Sequence, residues 1–526
     1  MRRIVLLATT LTLGLAATLA PAQDNRLPDI GSSAGEVITP TQQAEYGAMT
    51  LSQLRHYDYI LDDPLIDSWL QAMGNRLGAA SDRPQQPFTF FMMKDRQINA
   101  FATLGGYIGL NAGLVLTARS EDEVAGVLSH EVAHVTQSHV LRAVERAQRD
   151  SLPILLAMLG AIVLAQKAGG NSSDDATMAA VMSAQGLMAQ RQIDYTRSNE
   201  SEADRIGIRT LDRSGYDAKA MAVFFERMLS ATRSNRGGER ERTPEYLLSH
   251  PITTTRIGEA KERAAQLSNS PAASVAASSV SDNPLLPGAL RLPGGQIKGA
   301  SAQFDWARER LRVLSATTPA ASINEYERMG RAGTLNDSER YGLAFARLQA
   351  GQAAAAASEL SPLLEKHRGD VWLTLAMAEA EARGGKTAAA DTRFEALLDR
   401  MPSNRAVALS YARMLGERNT PVAGKRAQAV LRPLLGSASD DPTFQQTFAR
   451  ASEIAGDPVR AGEAYAEAAY LNGRPEQALI QLNTLKKRPE LDYYARSRID
   501  ARIAAITPTV LELRRLGVED EDLKRR

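Results

Sequence analysis

Apolar and polar positions divide the chain into stretches of different period. From Pro40 to Leu77 apolar residues recur at helical spacing: Leu51, Leu54, Ile60 and Leu61 precede Asp63-Pro64, and Ile66, Trp69, Leu70 and Met73 follow it. Two helices broken at the Asp-Pro pair are predicted. Phe88 to Met93 reads as a strand, and Asn99 to Leu110 as two short extended pieces around Gly105-Gly106. Ser120 and Glu123 form the pattern of a capping box, after which Val124, Leu128, Val132 and Val135 make a buried helical stripe. Arg197 to Leu211 predicts another helix, stopped by Ser214-Gly215.

After residue 267 the periodicity disappears. Residues 268–302 are rich in Ser, Ala, Pro and Gly and read as a linker. From 303 to 526 Ala-rich helices recur in pairs. Gly351, Gly384, Gly416 and Gly456 mark turns 33, 32 and 40 residues apart, near the roughly 34-residue period of tetratricopeptide repeats. Asn404 and Asp441-Pro442 fall at repeat boundaries, and Ala376, Ala380, Ala408, Ala412, Ala449 and Ala464 allow close helix packing. Tyr493 to Ile506 reads as a final capping helix. Such a solenoid offers a concave surface to another protein; the alternative is a helical domain with no partner of its own.

The N-terminus adds a targeting signal. Arg2 and Arg3, the apolar run Ile4 to Ala20, and Ala20-Pro21-Ala22 read as a signal peptide, residues 1–22, that directs general export. A retained anchor is the alternative, but Thr residues interrupt the run and it falls short of the roughly 20 apolar residues a span needs. Composition then narrows the classes. The 526 residues are 44% hydrophobic with net charge +1, which gives no sign of a nucleic-acid partner. There is no cysteine, so no thiol serves as nucleophile, metal ligand or disulfide.

The candidate chemistry centres on His130-Glu131-Val132-Ala133-His134 within residues 23–267. Histidines four apart share one helical face and can reach one metal ion, and Glu131 between them is placed as general base for a hydrolytic water. Only six histidines occur in the chain, and three of them lie between 130 and 139, so chance clustering explains the motif poorly. Zinc is the cofactor that the ligand types suggest, one Zn2+ per chain, although other divalent ions accept the same residues. A metzincin would require Gly at 137 and His at 140; the chain has Gln137 and Val140, with His139 one place off. Asn99, Ala100, Phe101 and Gly105 belong to a strand edge that can hold a substrate backbone by strand addition, or to a plain hairpin. The apolar stretch 152–165 is too short to span a bilayer; a lid, a core helix and an interfacial segment with peripheral membrane contact remain open.

Asn99-Ala100-Phe101 before a Gly-Gly turn, the His130 motif, and Glu200-Ser201-Glu202-Ala203-Asp204 together resemble the gluzincin metallopeptidases of the CAAX-prenyl-protease and HtpX type. Leu104 stands where many relatives have proline, which touches the turn and no ligand. The resemblance implies that Glu200 is the third zinc ligand and Asp204 the acceptor behind a ligand histidine, with Glu202 pointing away. His250-Pro251 followed by Arg256 is similar to the His-Pro loop of those families. By that likeness His250 stabilises an oxyanion or takes the metal's open position, and Arg256 donates to the oxyanion or holds the loop.

The expected fold is therefore α+β: a mainly helical gluzincin metalloprotease domain with a small β-sheet, then an all-α tetratricopeptide-type solenoid. With the signal peptide, this order resembles the periplasmic β-barrel assembly-enhancing proteases of Gram-negative bacteria. That family implies a periplasmic zinc endopeptidase that degrades misfolded or stalled outer-membrane proteins, supports their assembly, and joins the outer-membrane barrel-assembly machinery through its repeats. Its members often carry C-terminal cysteines, and this chain departs from them there. The rival reading is a chaperone or assembly scaffold with a largely latent metal site. An integral-membrane prenyl-protein protease is disfavoured by the lack of a long apolar run in the mature chain.

Overall fold

Asp63 and Pro64 start a helix for complementary reasons: proline needs no N–H partner in the first turn, and the Asp63 carboxylate accepts from the N–H groups of Leu65 and Ile66. The computed structural model describes residues 38–143, 145–146, 196–234, 245–268 and 301–515. The expected signal peptide, the apolar stretch 152–165 and most of the linker lie outside the described residues. Helix α1 spans Pro40–His56, and Thr39 and Gln42 form a reciprocal capping box at its start. Helix α2 spans Pro64–Ala80.

Strands β1 (Thr89–Met93), β2 (Ala100–Ala102) and β3 (Tyr107–Asn111) make one sheet in the order β1-β3-β2. β1 runs parallel to the central β3, and β2 antiparallel to it. Gly105 and Gly106 turn the chain between β2 and β3 with φ of 75° and 84°. A Cβ on Gly105 would lie 2.6 Å from the carbonyl of Gln43, so this turn is seated against α1. The outer side of β1 is covered, because Leu61 N–H donates to Met92 O (2.8 Å) and Lys94 N–H to Tyr59 O (2.9 Å). The outer edge of β2 has no strand partner among the described residues. Asn99 O accepts from Asn111 N–H, and Thr103 N–H donates to Tyr107 O. Antiparallel alternation therefore turns the backbone groups of Ala100 and Ala102 away from β3; Ala100 is fully buried there and Ala102 is partly exposed.

Helices α3 (Ala112–Thr117) and α4 (Glu121–Thr136) follow. The capping box predicted for α4 is half formed. Ser120 accepts from Glu123 N–H, but the Glu123 carboxylate accepts from Arg119 N–H and from Arg227 instead of closing back on Ser120. A helix over residues 196–213, α5, packs across α4. Helices α6 (Ala220–Ser234), α7 (Glu245–Ser249) and α8 (Thr254–Ser268) complete this half.

The second half is a run of helices, α9 (Phe304–Leu314), α10 (Pro319–Ala332), α11 (Asp337–Gln349), α12 (Ala353–Lys366), α13 (Val371–Arg383), α14 (Thr387–Arg400) and α15 (Arg405–Glu417), continued by α16 (Pro421–Leu431), α17 (Pro442–Ala455), α18 (Pro458–Leu471), α19 (Pro475–Lys486) and α20 (Tyr493–Arg515). From α11 on, each helix packs on the next, as in a solenoid. The alanines singled out in the sequence are buried between them. Gly351 (φ 76°) and Gly456 (φ 82°) do turn the chain, whereas Gly416 lies in the last turn of α15 and Asn419 (φ 51°) is the left-handed residue there. The final helix continues through Pro508 to Arg515, because Val510 is buried on the face that carries Ile499 and Ile506.

The two halves are not held apart by the Ser/Ala/Pro/Gly-rich stretch. One apolar cluster runs from Leu61 through the N-terminal half to residues of α9–α17, with the Phe304 and Trp69 rings 6.4 Å apart. Ser301, at the end of that stretch, donates through N–H to Glu121 at the head of α4 (3.1 Å). Buried Arg310 forks onto Asp63 at 2.8 and 2.7 Å. Farther along, the turn at Gly473 (φ 72°) lies against the Ser52 carbonyl of α1. No described helix is long and apolar enough to cross a membrane.

Candidate metal centre

His130 and His134 sit one turn apart on α4, and their Nε2 atoms are 3.0 Å apart. Both are buried. The crossing helix α5 reaches them because Gly207 faces α4. A Cβ there would lie 3.1 Å from the Cα and N of His130, so a side chain at this position would press on the metal helix. This approach brings Glu200, seven residues before Gly207 on the same face, to 3.4 Å from the Nε2 of each histidine. His250, immediately after α7, completes the group: its Nδ1 is 2.9 Å from Glu200 Oε1 and 3.4 Å from His130 Nε2.

One ligand atom from each of His130, His134, Glu200 and His250 lies within 4.8 Å of the others, and all four residues are buried. Two or three imidazoles with one carboxylate are the donor set of a catalytic zinc-type site, so the residues present fit a divalent metal. Glu131 supports the fit: it is buried, and its Oε1 has no hydrogen-bond partner.

The electrostatics follow from burial and neighbours. Burial lowers the pKa of His134 to about 3, leaving its imidazole neutral, as a ligand must be. For His130 burial acts the same way, but the hydrogen bonds to Asp204 and Glu200 outweigh it and raise the value to about 10. Burial likewise opposes the charge on Glu200, yet the three histidines around it hold its carboxyl far below the usual range. For Glu131, as for His134, burial dominates; here it pushes the pKa up, in the direction that suits a general base near neutrality.

Residues 64–264 match Peptidase family M48. The β-barrel assembly-enhancing protease of Yersinia pestis is 30% identical over 490 residues, 92% of each chain. That of Escherichia coli strain K12 is 29% identical over 504 residues, 95% of each. A Vibrio cholerae protein provisionally given the same name is 42% identical over 262 residues, 49% of this chain and 52% of that one. The chain belongs to peptidase family M48. It is accordingly a metallopeptidase whose substrates are proteins.

Further buried residues brace the candidate ligands. Asp204, one turn after Glu200, places Oδ1 2.9 Å from His130 Nδ1. Arg256 forks onto Asp204 through Nε (2.7 Å) and Nη2 (2.8 Å), and its Nη1 donates to Pro251 O (2.8 Å) and lies 2.9 Å from Glu200 Oε2. Burial opposes the charge on Arg256, but Asp204 and Glu200 more than restore it. This buried guanidinium thus lies behind the ligands and ties the His-Pro loop to α5. Asn99, Ala100 and Phe101 fall on or beside the edge of β2 that has no strand partner among the described residues, with Ala100 fully buried there; β2 packs on α4, while Gly105 faces α1.

Two residues near the candidate ligands were not read from the sequence as part of the site. Tyr246 is fully buried with its ring stacked on His250 (centroids 4.7 Å apart, 29° between planes), and burial raises its phenol pKa well above the usual value. His139 contacts His134, its Nδ1 2.8 Å from that of the ligand, and its Nε2 is 3.0 Å from Glu202. Helical spacing does not reveal His139, because α4 ends at Thr136 and Ser138, with φ 56°, folds the chain back. Glu202 points away from the ligands, as the sequence implies, and it is this direction that carries it to His139.

Proposed function

We propose that this chain is a zinc endopeptidase of the periplasm that degrades misfolded or stalled outer-membrane β-barrel proteins and supports their assembly. The observation that carries the enzyme reading is the buried convergence of His130, His134, Glu200 and His250 beside Glu131, whose Oε1 makes no hydrogen bond and lies 3.7 Å from His250 Nε2. The substrate class rests on the name of relatives that align over 92–95% of the chain. The export signal at residues 1–22 and the tetratricopeptide reading of residues 303–526, docking to the barrel-assembly machinery, belong to the same proposal.

Zinc bound by His130, His134 and Glu200 would polarise a peptide carbonyl and lower the pKa of a water to about 7. The chain's own groups then do the following. The outward N–H and C=O groups of Ala102, at the partly exposed end of β2, pair with an extended substrate backbone, with Phe101 and Asn99 beside it and Ala100 buried beneath. Glu131 accepts the proton of the attacking water and returns it to the leaving amine. Asp204, pinned by Arg256, holds the His130 ring by its Nδ1. Arg256 acts through this bracing and through its hold on the loop, since its donors are spent on Asp204, Glu200 and Pro251.

His250 favours a second reading. With His250 in the group and its Nδ1 toward Glu200 and His130, four protein groups would fill a tetrahedral site, as in structural zinc centres. The centre is then latent until the His-Pro loop moves, and in the extreme case the repeats do the work as a scaffold. Degradation of an unfolded outer-membrane barrel protein by wild type, Glu131→Gln, His250→Ala and the double variant separates these. Loss of cleavage with Glu131→Gln in both backgrounds supports the protease. Faster cleavage by His250→Ala supports a self-restrained enzyme, and slower cleavage makes His250 a participant in the chemistry. No Glu131-dependent cleavage in any form favours the scaffold.

A further inference from the structure

We propose that His139 is the positioning residue for the metal ligand His134, and that Glu202 sets the tautomer in which it does so. The inference rests on the reading of His134 as a ligand, and begins from proton placement. A histidine that binds a metal through Nε2 carries its proton on Nδ1, and the partner of that N–H fixes the ring's orientation. His134 directs Nε2 at Glu200 and His130, so its Nδ1–H faces His139 Nδ1, 2.8 Å away. His139 must accept there, which leaves its own proton on Nε2, 3.0 Å from Glu202 Oε2. Glu202 also accepts from Arg142 Nη2 at 2.8 Å.

One arrangement of protons satisfies the whole series: His134 donates to His139, and His139 donates to the carboxylate. The other tautomer of His139 would set two N–H groups against each other and point a lone pair at Glu202, inside a site where His139 is only 3% exposed. Glu202 thereby selects the form of His139 that keeps the His134 Nε2 lone pair facing the metal. The two histidine ligands are thus braced differently. His130 leans directly on a carboxylate of α5, buried and clamped by Arg256. His134 leans on a neutral imidazole contributed by the first helical residue after the turn at Ser138, backed by a carboxylate that is partly exposed.

The test compares two substitutions that separate packing from hydrogen bonding. His139→Phe keeps a ring but has no acceptor. His139→Asn loses the ring but keeps Oδ1 where Nδ1 stood. Zinc affinity is read by competition with a fluorescent chelator, ligand geometry by the visible spectrum of the Co(II)-loaded protein, and folding by thermal unfolding of the metal-free chain. The expected outcome is a loss of zinc affinity of about 10- to 100-fold for His139→Phe, with a changed cobalt spectrum. His139→Asn should recover most of that loss, and Glu202→Gln should show a smaller loss in the same direction. Wild-type affinity and spectrum in His139→Phe, or an Asn variant weaker than Phe, would overturn the inference. If His139→Phe does not fold, Glu202→Gln decides, and unchanged affinity there counts against it. His134→Ala is the control on the underlying reading: metal binding that survives it removes the ligand assignment and the inference together.

Discussion

Around the metal centre His130, Glu131, His134, His139, Glu200, Asp204, His250 and Arg256 are all buried, whereas beyond residue 337 the charged side chain among the fully buried residues described is Glu379. The helical array instead buries alanines, leucines and rings such as Phe394 and Tyr411, and keeps its ion pairs on partly exposed faces. The contrast is energetic. Burying a charge is tolerated only where partners and hydrogen bonds surround it, so the catalytic half spends its packing on positioning ionisable groups. The array has only to stack, and small residues serve that.

This contrast can be broken most sharply where the halves meet. Burial alone would raise the Asp63 pKa, but the Arg310 charge, its hydrogen bonds and the Ile66 N–H outweigh that and hold the carboxyl below its ordinary value. A carboxylate depressed on folding stabilises above its unfolded pKa of about 3.9 and loses that contribution as pH falls further. Asp63→Ala should cost about 3–5 kcal/mol near neutrality by leaving Arg310 buried and unpaired. Chemical unfolding against pH should show the deficit shrinking below about pH 4; a constant deficit would place the effect in packing alone.

In the array, Phe394→Leu should lower stability by about 1 kcal/mol through volume loss and leave zinc affinity unchanged. A change in metal binding would show that the array reaches the site. Gly207→Ala tests the converse. Its stability change should stay within about 1 kcal/mol, since helix propensity is gained while the new Cβ presses on the His130 backbone. Zinc affinity should nonetheless fall, measured by chelator competition. The smallest effect is expected for Arg498→Ala, which removes the exposed pair with Glu463 and should cost under about 1 kcal/mol in thermal unfolding. A larger loss would mean that exposed pairs hold the solenoid after all.

The sequence alone determined what lies along single elements. The helix with His130, Glu131 and His134, the shared face of Glu200 and Asp204, the strand pieces around Gly105-Gly106 and the paired helices all follow from periods of 3.6, 2 and about 34 residues. Tertiary structure decided what depends on crossings. Gly207 brings Glu200 to the histidines, the left-handed Ser138 returns His139 to His134, and the Tyr246–His250 segment enters the ligand set from a separate helix. It also merged the cores on either side of the Ser/Ala/Pro/Gly-rich stretch, through Phe304 on Trp69 and Arg310 on Asp63. Periodicity records which residues share a face. The meeting of two faces is set by close approach at particular glycines and turns, which local pattern does not encode.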